Sequence, residues 1–269
     1  MASKLQPPAT GLFLRGFHAQ ARVIGALLMR ELHTRYGREN IGYLWLVGEP
    51  LMLASVMALL HHNGRTPFGS DITPLGFTVL GYTTYIMFRG IINRSSAALE
   101  SNGPLLYHRM VTIFDIVLSR ALLEAAGTTL AYLVLETLLT SIGVLNIPAR
   151  PLALFGALGL MFWYSWSQSM IISSISSQNK LVERFVHPYS YFMIPASAAF
   201  FQMAWIPEPY RSYLLWLPLP HIMELARYGQ FRAANLKYCD PWYVVESCIV
   251  LTWLGLVAMR RYRKRVHLN

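Results

Sequence analysis

The residues able to do chemistry in this chain are few and scattered. Of its 269 residues 13 are Asp or Glu, 8 are His and 2 are Cys. His61 and His62 are adjacent, but His108, His187 and His221 are scattered along the chain, so no larger cluster and no metal-ligand spacing emerge. Cys239 and Cys248 have no metal spacing either, and both read as unpaired. A phosphate-binding loop needs glycines whose backbone N–H groups reach the phosphates, followed by Lys and then Ser or Thr. The only lysines are Lys4, Lys180, Lys237 and Lys264, and none follows Gly. What remains are single carboxylates, hydroxyls and aromatic rings set in apolar sequence. Glu49 is the one ionisable residue between Leu44 and Leu60, and Pro50 follows it. A carboxylate near a bilayer midplane is costly unless paired or protonated. Glu49 is therefore either functional or a neutral group that satisfies the carbonyls Pro50 leaves free.

The elements that must position these residues are membrane spans. The chain is 54% hydrophobic and 13% charged, against roughly 25% charged in soluble proteins. Apolar stretches near the ~20 residues a bilayer core requires run from about Ile41 to Leu60, Pro74 to Phe88, Ala121 to Leu145, Leu152 to Ile175, Val186 to Ile206 and Trp242 to Met259. The second is short, and Pro188 and Pro195 interrupt the fifth. No apolar leader segment precedes the first, which acts as its own insertion signal. Seventeen of the Lys and Arg residues fall before the first span, in the second-to-third and fourth-to-fifth connections and after the last span, against six elsewhere. That bias places both termini in the cytoplasm of an all-α, six-span protein. The net charge of +10 is then a topology signal, and no nucleic-acid partner is implied.

The stretch Arg35 to Pro50, Arg-Tyr-Gly-Arg-Glu-Asn-Ile-Gly-Tyr-Leu-Trp-Leu-Val-Gly-Glu-Pro, passes from charged to apolar sequence and marks the water-to-membrane crossing. Before it, a helix expected from about His18 gathers Val23, Ile24, Leu27, Leu28 and Leu32 on one side, with Arg22, Arg30 and His33 on another. Glu31 stands four residues before Arg35, a favourable pairing. Such a helix suits the inner membrane surface, or serves as a plain juxtamembrane anchor, and residues 1–16 read as a loose tail. The basic helix, Arg-Tyr-Gly, Gly-Tyr-Leu-Trp and Glu-Pro together resemble the inner-membrane permeases of capsule-polysaccharide ABC exporters, of the ABC-2 class. The resemblance covers nearly the whole chain. It implies a single transmembrane domain over 1–269: tail and interfacial helix over 1–40, a six-span bundle over 41–259 and a basic tail over 260–269. It also implies that Arg30, Glu31, Arg35, Tyr36 and Arg38 flank the substrate's way in, where the interfacial helix packs on the ATPase.

The cytoplasmic connection Arg89 to Arg120 is the longest. Ser95 or Ser96 can cap a short helix, and Asn102-Gly103-Pro104 stops it. Either this is a bare re-entry turn or a rigid element for a motor to push. Ser-Asn-Gly-Pro-Leu-Leu, with Asp115 and Arg120 to Glu124 beyond it, resembles the coupling helix of the same exporters, which would make Arg94, Ser95, Ser96, Glu100, Ser101 and Asn102 the ATPase-coupling residues. Arg120 and Glu124, four apart, suit an intrahelical ion pair. Glu136, twelve residues on, is rotated by about a third of a turn from Glu124, which argues against a proton wire.

Tyr82 and Tyr85 share a helix face, and Ser165, Ser169, Ser173 and Ser177 recur every fourth residue beside Tyr164. Such residues pack helices closely, or else they offer rings to sugar C–H faces and hydroxyls to sugar hydroxyls. On the second reading Trp45, Glu49, Tyr82, Tyr85, Tyr164, Ser169, Tyr189 and Tyr191 line a substrate path. After span five, Pro207, Pro209, Pro218 and Pro220 bracket Tyr210 to Leu217, and a further helical piece runs from about His221 to Phe231. These pieces resemble the re-entrant external helices of the family; the alternative is an amphipathic surface loop. With no nucleotide site here, the resemblance implies a permease in the bacterial inner membrane with no cofactor of its own. It would work as two copies with two ATP-binding cassette subunits that carry ATP and Mg, beside a periplasmic adaptor and an outer-membrane export protein. The cargo implied is a lipid-linked capsular polysaccharide, with O-antigen or teichoic-acid export as the near rival. A membrane-embedded transferase would need clustered carboxylates or histidines, and a secondary transporter inverted halves; the sequence shows neither.

Overall fold

The structure, a computed structural model, describes residues 9–36, 48, 52, 55–56, 71–103 and 111–266. The first expected span, with Trp45, Glu49 and Pro50, falls outside them apart from isolated positions, as do Arg38 and the side chains of Arg35, Tyr36 and Glu100. Among the described residues all regular structure is helical: α1 (Ala9–Tyr36), α2 (Pro74–Ser95), α3 (Ile113–Ser141), α4 (Pro151–Ser176), α5 (Lys180–Ala196), α6 (Tyr210–Leu214), α7 (Pro218–Gln230) and α8 (Pro241–Val266), with 3-10 turns at Glu100–Asn102 and Met203–Trp205.

Local signals set most of the boundaries. Thr73 caps α2 by accepting from the Gly76 N–H at 3.1 Å, with Pro74 in the first turn. Thr112 and Asp115 form a reciprocal capping box, so α3 begins at Ile113, well before the expected Ala121. Gly143, at φ +74°, follows the end of that helix. Asn179 caps α5 through the Leu181 N–H at 2.9 Å. Helix α1 starts at Ala9, so the tail expected over residues 1–16 is helical from that point. Helix α8 carries on beyond Met259 through the basic end to Val266.

Helices α2 and α3, and α8 over Pro241–Arg263, are long and apolar enough to cross a membrane. Helix α4, at 26 residues, is about 39 Å long, but its second half is rich in serine. The continuous fifth span expected from Val186 to Ile206 is not present as such. Helix α5 has 17 residues with Pro188 and Pro195 inside it and stops at Ala196. Each proline removes a backbone donor, and the chain then turns through Ala198 at φ 60° into the 3-10 turn at Met203.

Helix α2 is the centre of the bundle, with Phe77, Leu80, Tyr85, Met87, Phe88 and Ile92 fully buried. It packs against α3, α4, α5 and α7, while α8 lies on α4 and α1 on α3. Gly81 lets the Ala199 carbonyl approach α2 where any side chain would collide. Leu130, Val134 and Leu138 form an exposed stripe on α3, and Ile249, Val250, Trp253, Leu254 and Leu256 an exposed face on α8. Both suit contact with lipid tails.

Helix α7 is no surface piece: twelve of its 13 residues are buried. Its polar residues tie down surrounding loops. Arg227, 2% exposed, pairs with Glu224 at 2.9 Å, donates to the Ala198 and Ala199 carbonyls and stands 4.3 Å from the centre of the Phe77 ring. Glu224 in turn accepts from the Met203 N–H at 2.9 Å. Gln230 accepts from the Tyr132 hydroxyl at 2.7 Å and donates to the Asn146 carbonyl. His221 accepts from the Asp240 N–H at Nδ1, which leaves Nε2–H to donate to the Leu215 carbonyl at 2.9 Å. Arg150 stacks on Tyr228 at 4.0 Å and donates to the Tyr228 and Phe231 carbonyls. Each buried polar residue thereby supplies partners to backbone that would otherwise lack them.

Candidate functional site

Two groups of sequence-selected residues fall at definite places. The first gathers where the end of α2, the 3-10 turn, the start of α3 and the end of α4 meet α1. Ser95 and Ser96 do not cap a separate helix. Helix α2 runs through Ser95, whose hydroxyl donates back to the Ile92 carbonyl as that of Ser96 does to Asn93. A turn over 96–99 and the 3-10 turn Glu100–Asn102 follow. The expected coupling element is thus a compact continuation of α2. Both serines are buried, and Ser176 Oγ donates to the Ser96 carbonyl at 2.9 Å, fixing the end of α4 to the turn.

The ion pairs here join helices instead of lying within one. Arg94 on α2 meets Glu124 on α3 at 2.7 Å, and Arg120 on α3 meets Glu31 on α1 at 3.2 Å, replacing the Arg120–Glu124 pair expected from spacing. Arg120 also donates to Ser101 Oγ at 2.7 Å and to the Arg94 carbonyl at 3.4 Å. Arg30 donates to Asn102 Oδ1 at 2.8 Å, and Asn102 Nδ2 to the Ala98 carbonyl. Nearly three turns back along α1, Gln20 donates to Asp115 Oδ1 at 3.0 Å. Polar groups on α1 therefore reach both the 3-10 turn and α3. Arg94, Ser95, Ala98, Arg120, Glu124 and Ser169 border a cavity of about 10 Å³, room for a single water.

The second group, the proposed path residues, divides by burial. Tyr85 is 1% exposed and donates to the Ser190 carbonyl. Tyr164 and Ser169 are also buried inside one copy, Tyr164 against Phe88 and Ser169 bonded to the Trp166 carbonyl. Tyr85 and Tyr164 join helices and Ser169 bonds within its own, and none of the three presents surface to a passing molecule. The serine stripe behaves likewise: Ser165 and Ser173 donate to carbonyls of their own helix and are wholly buried. Tyr82 is half-buried against Phe200, and Tyr189 is half-buried and donates to Gln168 Oε1 at 2.9 Å. Tyr191 is 54% exposed. Its hydroxyl accepts from Arg89, whose guanidinium lies 4.2 Å from the centre of its ring.

Sequence reasoning missed Arg89 and the Glu224–Arg227 pair as partners in structure. Both carried a signal: a charge inside an otherwise apolar run, which must find a partner or water. Among the described residues no group of three His, Cys, Asp or Glu side chains is placed to hold a metal.

No family model matches the chain. It is 37% identical over 254 residues to the capsule polysaccharide export inner-membrane protein CtrC of Neisseria meningitidis serogroup A, covering 94% of this chain and 96% of that one. It is 33% identical to the capsule polysaccharide export inner-membrane protein BexB of Haemophilus influenzae, with the same coverage. To the polysialic acid transport protein KpsM of Escherichia coli it is 31% identical over 253 residues, covering 91% of this chain and 95% of that one.

Proposed function

This chain belongs to the family of capsule polysaccharide export inner-membrane proteins, and from that premise we propose that it is the permease subunit of an ATP-driven exporter whose hydrolysis takes place on separate subunits. The observation that carries this reading is full-length likeness: the relatives span 91–94% of the chain, including the Arg35–Pro50 and Arg94–Glu124 segments. The absence of any Lys after Gly supports a motor supplied from outside. Two copies of this chain and two ATP-binding cassette subunits, carrying ATP and Mg, make up the inner-membrane machine. A periplasmic adaptor and an outer-membrane export protein continue the route for a lipid-linked polysaccharide.

In this reading six spans cross the inner membrane with both termini in the cytoplasm, and α6 and α7 re-enter from outside without crossing. At 5 and 13 residues they are about 8 and 20 Å long, short of the bilayer core. The turn over 96–102 meets the ATPase. Because Arg30 and Glu31 hold Asn102 and Arg120, a push on that turn moves α1 and α3 together. The motor's stroke thus reaches the interfacial helix and the spans through a common joint.

The reading is tested by deleting the coding sequence in its native host and locating the polymer. Polysaccharide should accumulate inside the cell and return to the surface when the chain is resupplied. Surface polymer at the normal level in the deletion strain would sink the proposal.

A further inference from the structure

We propose that the face of α2 and α5 carrying Arg89 and Tyr191 lines a water-filled passage, and that Arg89 there takes an anionic group, a carboxylate or a phosphate, of the passing polymer. The inference rests on the exporter reading and adds to it the charge of the cargo and a residue that selects it.

Depth comes first. The bond from Ser176 to the Ser96 carbonyl puts the ends of α2 and α4 at one level, and α5 starts four residues later at Lys180. Arg89 lies six residues before the end of α2, about 9 Å from that level, and Tyr191 lies eleven residues into α5, about 16 Å from it. Their contact therefore holds the guanidinium two to three turns inside the bundle. An arginine facing lipid would instead reach back to the nearer headgroups.

Compensation comes second. Arg94, Arg120, Arg211 and Arg227 each have a carboxylate partner. Among the described residues Arg89 has none at ion-pair distance; what it has is a phenol and a ring.

Surroundings come third. Only Val186 and Ser190 are buried on α5, and its outer side exposes Arg184, Phe185, His187, Pro188, Tyr191 and Phe192. Cations, imidazole and rings are mixed on that side, whereas the exposed faces of α3 and α8 described above carry apolar residues. A half-exposed guanidinium without a counter-ion can exchange its phenol for a two-point bond to a carboxylate or phosphate. The Tyr191 ring so released remains beside it to stack on a sugar.

The test uses the complete exporter in membrane vesicles, with Cys239→Ser and Cys248→Ser as background. A single cysteine replaces His187, one turn from Tyr191 on the same exposed side, or, as controls, Leu138 or Trp253. Two small thiol reagents of opposite charge, a sulfonate and a trimethylammonium, are compared. The His187→Cys protein should react at least tenfold faster than both controls. Its preference for the sulfonate should fall about threefold or more on Arg89→Gln and persist in Arg89→Lys. Glucuronate slowing the sulfonate reagent assigns a carboxylate ligand, and inorganic phosphate slowing it assigns a phosphate. A His187→Cys protein as silent as the controls, a preference unmoved by Arg89→Gln, or slowing by neither anion overturns the proposal. Labelling needs no transport, so a failed export reading would show in the deletion strain and leave this result standing.

Discussion

The pair of Glu224 and Arg227 offers the sharpest energetic test of how the α7 region is held. Arg227→Met keeps most of the volume of the side chain but leaves the Glu224 carboxylate buried beside apolar neighbours. It also strips the Ala198 and Ala199 carbonyls of their donor. Removing one partner of a buried pair costs about 3–5 kcal/mol. Glu224→Gln is gentler, because an amide oxygen can still accept from the Met203 N–H and Arg227 keeps both carbonyls and the face of Phe77; about 1–2 kcal/mol is expected. The double variant removes the stranded charge and should be more stable than Arg227→Met alone. Thermal unfolding of the detergent-solubilised protein reads the order directly, with Arg227→Met lowering the midpoint by roughly 10 °C. If Glu224→Gln unfolds as early as Arg227→Met, or the double variant is the worst of the three, the stranded-carboxylate reasoning is wrong.

At the other end of the bundle, Glu31→Arg should weaken coupling of ATP hydrolysis to export, and Glu31→Arg with Arg120→Glu should restore part of it. Failure of the double exchange to rescue would leave the contact incidental. Glu100→Arg, or glycine at Ala97, should lower transport-linked hydrolysis while membrane insertion stays normal, measured on the purified complex. Burial, with help from the Glu224 and Asp240 carboxylates, pushes the Cys239 thiol up to about 12. The group is therefore neutral thiol throughout the physiological range, and because only thiolate reacts, alkylation at pH 8 should be far slower than at a cysteine placed at Asn146. Equal rates would contradict that burial. Cysteines at Asn63 and Asn146 should label from outside, and one at Asn179 only once the membrane is opened; outside labelling at Asn179 would refute the six-span arrangement.

How far the sequence could be read depended on the range of the interactions involved. Caps act within four residues and so lay within reach of the sequence, yet only Ser95 or Ser96 was expected to cap, and neither does. Thr73 before α2, Asn179 before α5 and the Thr112–Asp115 box, which begins α3 eight residues before the apolar run, were passed over in favour of hydropathy. The break of α5 was foreshadowed by Pro188 and Pro195. Its exact end was not, since the turn at Ala198 is held by Arg227, almost thirty residues away. Spacing of four pointed to an Arg120–Glu124 pair, yet α1 and α2 supplied Glu31 and Arg94 as partners, a choice that only tertiary packing makes. The tyrosines show the same limit. Tyr85 and Tyr191 are alike on the page, but one bonds the backbone of α5 in the core and the other meets an arginine at the surface.

The most direct measurement of the central claim is export by purified parts. The chain and the proposed ATP-binding cassette subunit are reconstituted in vesicles with lipid-linked polysaccharide, and the polymer that has crossed is quantified with an enzyme unable to pass the bilayer. The account predicts crossing that requires ATP, Mg and both subunits together, with hydrolysis stimulated by the polymer. Crossing driven by this chain without the partner, or hydrolysis by the complex with no polymer moved, would contradict it.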